Sequence, residues 1–125
     1  MQIFCEGNQM NTQELLVDTN VLDKLVNDLG IESARKFMDS LDTEFQKRIE
    51  NLRNAIEDRS YYQVAMEAHS LKSSAQISGA FKLAEILIAM EKQAKAEDSA
   101  VFELAQDAIT TADLTRFAFL DVKLG

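Results

Sequence analysis

Apolar residues recur in steps of three and four along most of the chain, the spacing of amphipathic helices rather than of strands. The run VLDKLVNDLG puts Val21, Leu22, Leu25, Val26 and Leu29 on one side of a short helix, with Thr19 or Asn20 as the expected N-cap and Gly30 as its stop. From about Glu32 to Asp58 the apolar series is Ala34, Phe37, Met38, Leu41, Phe45, Ile49, Leu52, Ala55 and Ile56. At ~1.5 Å per residue this predicts a helix about 40 Å long. Ser60 is the expected cap of a third helix, which runs to about Ser78 and is broken by Gly79. Ala80 to about Glu97 forms a fourth, with Ala80, Leu83, Ala84, Leu87, Met90 and Ala94 on its apolar stripe. Asp98 or Ser99 caps a fifth, carrying Val101, Leu104, Ala105, Ala108, Ile109 and Ala112. That helix is expected to end or bend near Asp113, with the tail FAFLDVKLG packing back on the bundle.

Long helices with short joints predict an all-α protein: an antiparallel four-helix bundle with a short additional N-terminal helix over one end. The 125 residues suit one domain, divided as a tail or extra turn over residues 1–12 and a bundle over residues 13–125. The chain has no proline, and of its four glycines only Gly30 and Gly79 fall between helices. No internal repeat or low-complexity linker interrupts it.

The formal net charge of −8 argues against a nucleic-acid partner, because phosphate backbones attract basic surfaces. The N-terminus MQIFCEGNQM has no basic region followed by an apolar core, so no secretory signal is expected. Nor does any run approach the ~18 apolar residues of a membrane span. Cys5 is the only cysteine and forms no internal disulfide, which fits a reducing compartment. The expectation is a cytoplasmic monomer. The acidic run of the long helix reads as a solvated face.

One stretch breaks the pattern of core and charged surface. AHSLKSSAQISGA, residues 68–80, contains the only histidine in the chain. At ~100° per residue, Tyr61, Val64, Ala68, Leu71 and Ala75 form the core stripe of this helix, and His69 lies roughly 120° from its centre. On the histidine's side fall Tyr62, Ala65, Met66, Ser73 and Gln76, with Lys72 on the flank; Gln63 and Glu67 lie elsewhere. Such an uncharged, half-apolar patch on a surface helix suits docking. Ser73, one turn on, leaves room beside the imidazole, and Lys72 can offer charge to a group bound there. A neutral imidazole is a nucleophile near neutral pH. An exposed histidine with clearance and a neighbouring ammonium therefore suits acceptance of a phosphoryl group.

Other chemistries fit less well. A metal site is disfavoured, since there is no second histidine and the cysteine is distant. Ser70, Ser73 and Ser74 lie near His69, but no Gly-x-Ser-x-Gly turn presents a nucleophile. The rival from another class is an interaction module, a helical bundle that binds a receiver or another partner without carrying phosphate.

His69-Ser-Leu-Lys72-Ser-Ser-Ala75 followed by Gly79-Ala80 resembles the signature of histidine-containing phosphotransfer (HPt) domains. That signature reads approximately His-x-Leu-Lys-Gly-Ser/Ala-Ala with Gly-Ala ten residues beyond the histidine, where Gly79 stands here. Met90-Glu-Lys-Gln-Ala-Lys95 resembles the family's Leu-Glu-x-Ala-Arg/Lys stretch in the next helix. The resemblance runs from about Thr19 to Ala112, and the Ser73-Ser74 form is similar to that of small free-standing bacterial members.

The resemblance implies a phosphorelay intermediate, taking phosphate from a receiver-domain aspartate and passing it to another receiver's aspartate. His69 would be the phosphoacceptor, Lys72 and Lys95 would neutralise the phosphate, and Glu91 would face the histidine from the adjacent helix. Ser73 stands where the family usually has glycine, its small size keeping access open. Tyr62, Ala65, Met66, Gln76 and Gly79 would bind the partner. The implied partners are the receiver domains of a hybrid sensor kinase and of a response regulator. No cofactor is expected in this chain; Mg²⁺ is expected in the partner's acidic pocket. The chain has no nucleotide-binding Gly-rich loop with a following Lys-Ser/Thr, and it lacks the His-Glu…Thr-Pro look of a kinase phosphoacceptor helix. It is therefore expected to be a phosphocarrier without autokinase activity.

Overall fold

The computed structural model of the chain describes residues 16–122. The expected tail over residues 1–12, with Cys5, and the last three residues lie outside that span. Among the described residues five helices follow one another: α1 (Thr19–Leu29), α2 (Ile31–Glu57), α3 (Tyr61–Ser78), α4 (Phe81–Lys95) and α5 (Val101–Asp121). α3 packs on α2 and α4, and α5 packs on the same two, so α3 and α5 stand diagonally across a four-helix bundle. α1 lies against α2 at one end.

The joints are built from local backbone chemistry. Asp18, rather than Thr19 or Asn20, is the N-cap of α1; its extended backbone lets the carboxylate accept the Asn20 N–H at 3.0 Å. Carboxylates are preferred there because they satisfy a free amide at the positive end of the helix dipole. Ser60 caps α3 as expected, its Oγ accepting the Gln63 N–H at 3.1 Å. Asp98 accepts the Ala100 N–H at 3.0 Å ahead of α5. Gly79 ends α3 in the left-handed conformation (φ 84°), and the Ala80 N–H closes the helix end on the Ala75 carbonyl at 2.8 Å.

Gly79 has a second duty. Its carbonyl accepts the Asp18 N–H at 2.9 Å, and a Cβ there would meet the Asp18 carbonyl and the Val21 side chain at 3.0 Å. The segment entering α1 thus lies directly on the α3–α4 joint. Gly79 is buried by it and offers no surface to a partner, which corrects the expectation that it binds one.

The predicted stripes of α2 to α5 form the core, whereas of the stripe predicted for α1 only Leu22 is buried and Leu29 is half exposed. Leu41, Phe45, Ile49 and Leu52 of α2, Val64, Ala68, Leu71 and Ala75 of α3, Leu83, Leu87 and Met90 of α4, and Val101, Ala105, Ala108 and Ala112 of α5 make one buried cluster. Burying each large aliphatic side chain stabilises the fold by about 1.5–3 kcal/mol. A second cluster joins Leu16, Val17 and Leu22 to Ala118. It explains why α5 does not end or bend near Asp113: Ala118 packs with Leu16, Val17 and Leu22, and Phe119 meets the Phe45 ring edge-on at 6.0 Å. Asp113 itself stays at the surface, facing Arg53 at 3.6 Å and Arg116 at 3.7 Å.

Part of the acidic run of α2 is not a solvated face. Asp42 accepts from Arg116 of α5 at 2.8 Å, and Glu44 accepts from Arg48 at 2.8 Å. Arg48 also reaches the buried Glu67 of α3 at 3.0 Å, tying α2 to α3. The Arg116 guanidinium holds the Asp42 carboxyl below its ordinary range.

Candidate functional site

The helical period that buries Ala68 and Leu71 turns His69 outward, and 64 % of its side chain is exposed. Across from it, α4 carries Glu91 on a half-turn between buried Met90 and Ala94. The Glu91 side chain is only 12 % exposed and carries three bonds. Its Oε2 lies 3.1 Å from His69 Nδ1 and 3.0 Å from Lys95 Nζ, while its Oε1 lies 2.9 Å from Lys72 Nζ. Lys72 comes from the turn of α3 after His69, Lys95 from the turn of α4 after Glu91. One carboxylate thus gathers the imidazole and both lysines.

This geometry fixes charge. The hydrogen bonds from Lys72 first, then Lys95, lower the Glu91 carboxyl from 4.5 to about 2 against the opposing effect of its burial. A carboxylate is an acceptor only, so Nδ1 of a neutral His69 must be the protonated nitrogen. The lone pair is then on Nε2, which has no hydrogen-bond partner among the described residues. The site thus turns Nε2 outward, with the Lys72 and Lys95 ammonium groups bonded to the same carboxylate that holds Nδ1.

The lowered carboxyl has a measurable consequence. Because the folded value lies below the unfolded one, the stabilisation is complete above pH about 4.5 and is lost as pH falls toward about 2. A shift of this size corresponds to at most about 3 kcal/mol, less after screening of the exposed Lys95. Urea midpoints of the wild type should therefore fall more steeply between pH 5 and 2.5 than those of Glu91→Gln. Parallel curves would show that the carboxylate adds no stability.

An open groove of about 550 Å³ lies beside the histidine. Tyr62, Ala65 and Met66 line it, as the sequence suggests, with Tyr61 and Ala94 completing its apolar wall and His69, Glu91 and Lys95 at its polar edge. Tyr62 and Met66 are exposed large apolar side chains. Ser73 and Gln76 are exposed on the other side of His69 and do not line this groove. Ser70 and Glu97 do, and sequence reasoning missed both: Ser70 sits at the edge of the histidine face, and Glu97 is placed by a left-handed turn (φ 56°) that no glycine announces. Among the described residues no group of histidine, cysteine and acidic side chains is arranged to hold a metal ion. No described helix is long and apolar enough to cross a membrane.

No curated protein matches the chain. Among solved structures it is similar to the crystal structure of histidine-containing phosphotransfer protein B (HptB) from Pseudomonas aeruginosa PAO1, with a TM-score of 0.77 and 20 % identity over 83 % of this chain and 90 % of that one. At that identity the likeness speaks for the fold. The family model described as Hpt domain matches residues 36–115, a span that contains His69, Lys72, Glu91 and Lys95. The chain belongs to the histidine-containing phosphotransfer domain family, the phosphocarrier modules of two-component signalling that work with receiver domains.

Proposed function

We propose that this protein is a relay intermediate that takes a phosphoryl group from a receiver-domain aspartate onto His69 Nε2 and delivers it to the aspartate of a second receiver. The observation that carries this reading is the bond between Glu91 and Nδ1, which leaves the nucleophilic lone pair on the exposed nitrogen. The Nε2 lone pair attacks the phosphorus of the aspartyl phosphate. The Nε2–P bond forms, the P–O bond to aspartate breaks, and its electron pair stays on the carboxylate. No proton leaves Nδ1, and the positive charge that develops on the ring is met by Glu91. Phosphoryl transfer asks mainly for alignment and charge stabilisation. Lys72 and Lys95 supply cations on this side; the receiver would supply its acidic pocket and Mg²⁺. The groove of Tyr62, Ala65 and Met66 would seat the receiver, and the two receivers would belong to a hybrid sensor kinase and a response regulator.

The test is incubation with a radiolabelled phospho-receiver and Mg²⁺. Label should move to this protein in an acid-labile, alkali-stable form, as expected of phosphohistidine. Stable binding of the receiver with no transfer would favour an interaction module instead. Ser73 tests access. Ser73→Gly should transfer at the wild-type rate, whereas Ser73→Phe, folded by circular dichroism, should be slower by about a hundredfold, the scale on which small misplacements act. Equal rates would show that clearance beside His69 is irrelevant.

A further inference from the structure

We propose that Glu91 sets how readily the phosphoryl group leaves His69, because it competes with that group for Lys72 and Lys95 while keeping the proton on Nδ1. Glu91 is in this sense a positioning residue, acting through the ring and the two lysines. The inference rests on the relay reading above.

The competition follows from the bonding. With His69 neutral, the cluster of one carboxylate and two ammonium groups carries a net charge of +1. A phosphoryl group adds roughly −1.5 to −2, by analogy with other phosphorylated side chains. Lys72 and Lys95 are the cations nearest to hand, and both are already engaged by Glu91 at 2.9 and 3.0 Å. To hold the phosphoryl group they must loosen those bonds. Glu91 sits on a helix between two core residues and cannot follow them outward. The gain from each new lysine–phosphoryl contact is therefore offset by a lost lysine–carboxylate contact, and the group is held less firmly than two free lysines would hold it.

The ring acts in the same direction. In discharge the incoming aspartate oxygen bonds to phosphorus, the Nε2–P bond breaks, and its electron pair returns to Nε2. Because Glu91 keeps the proton on Nδ1, the leaving group is neutral imidazole rather than an imidazolate. The same logic of a carboxylate orienting a histidine operates in catalytic triads. A carrier that must give up its cargo as well as take it benefits from both effects.

Glu91→Gln separates them from mere architecture. The amide retains an oxygen that can accept from Nδ1 but has no charge to hold the lysines. With phosphoramidate as the phosphodonor, phosphohistidine followed by phosphorus NMR should persist about three- to tenfold longer in Glu91→Gln than in the wild type. That is the range expected when two partly exposed ion pairs are released. Adding Lys72→Ala and Lys95→Ala to Glu91→Gln should return the lifetime toward the wild-type value, since no freed cations remain. Lys95→Met alone, at an exposed position, should shorten the lifetime and serves should the Gln variant fold poorly. A folded Glu91→Gln protein whose phosphohistidine decays at or above the wild-type rate overturns the proposal and leaves the relay reading intact. A wild type that takes no label from phosphoramidate or from a phospho-receiver sinks both.

Discussion

His69→Gln should remain folded and should take up no phosphoryl group from a phospho-receiver under conditions that label the wild type within minutes. Loss should be complete, because the amide has no nucleophilic ring nitrogen and the described residues contain no other histidine. Folding should survive because the imidazole is largely exposed and contributes one bond, to Glu91. Lys72 and Lys95 still hold that carboxylate when the histidine is gone. Lys72→Ala is the informative contrast: it removes a charge and not the nucleophile, so transfer should slow by a few-fold, in line with the roughly 0.2–1 kcal/mol of one partly exposed ion pair. The measurement is timed transfer of radiolabel, with melting curves run on the same preparations. Uptake by His69→Gln at the wild-type rate would place the phosphoacceptor elsewhere and end the relay reading of this site.

Phe45→Ala is expected to be the most damaging single change to the fold. The ring is fully buried at the middle of α2 and meets Phe119 edge-on at 6.0 Å, joining α2 to the last turns of α5. Truncation removes the ring's transfer free energy and leaves a cavity that neighbouring helices cannot wholly close, a loss of about 3–5 kcal/mol. Against the roughly 5–15 kcal/mol by which domains are stable, that is a large share. The midpoint of thermal unfolding should drop by roughly 10–20 °C for a chain of this size. Phe117 provides the control. It lies two residues from Phe119 on the outer face of α5, where it is 57 % exposed, and Phe117→Ala should change stability by less than about 0.5 kcal/mol. If the two substitutions cost the same, the bundle is not held by the core described above.

These expectations divide along a physical line. The helices, the apolar stripes of α2 to α5, the two glycine joints and the outward direction of His69 were determined by the sequence alone, because each depends on residues within a few positions of one another. A period of 3.6 residues turns spacing into direction without reference to the rest of the chain. Local signals failed where a distant partner decided the outcome. α5 continues past Asp113 because Ala118 and Phe119 find Leu16, Val17 and Phe45 to pack against. Gly79 is shut away from partners by the Asp18 segment, which lies far from it in sequence. The charges of Asp42 and Glu67 are bound by Arg116 and Arg48 rather than left to solvent. The site shows the same division. The resemblance to a family placed Glu91 and Lys95 opposite the histidine, but periodicity within either helix could not. Only the register of α3 against α4 decides that one carboxylate reaches Nδ1, Lys72 and Lys95 together, and register is set by how Leu71, Ala75, Leu83 and Leu87 fill the space between the helices.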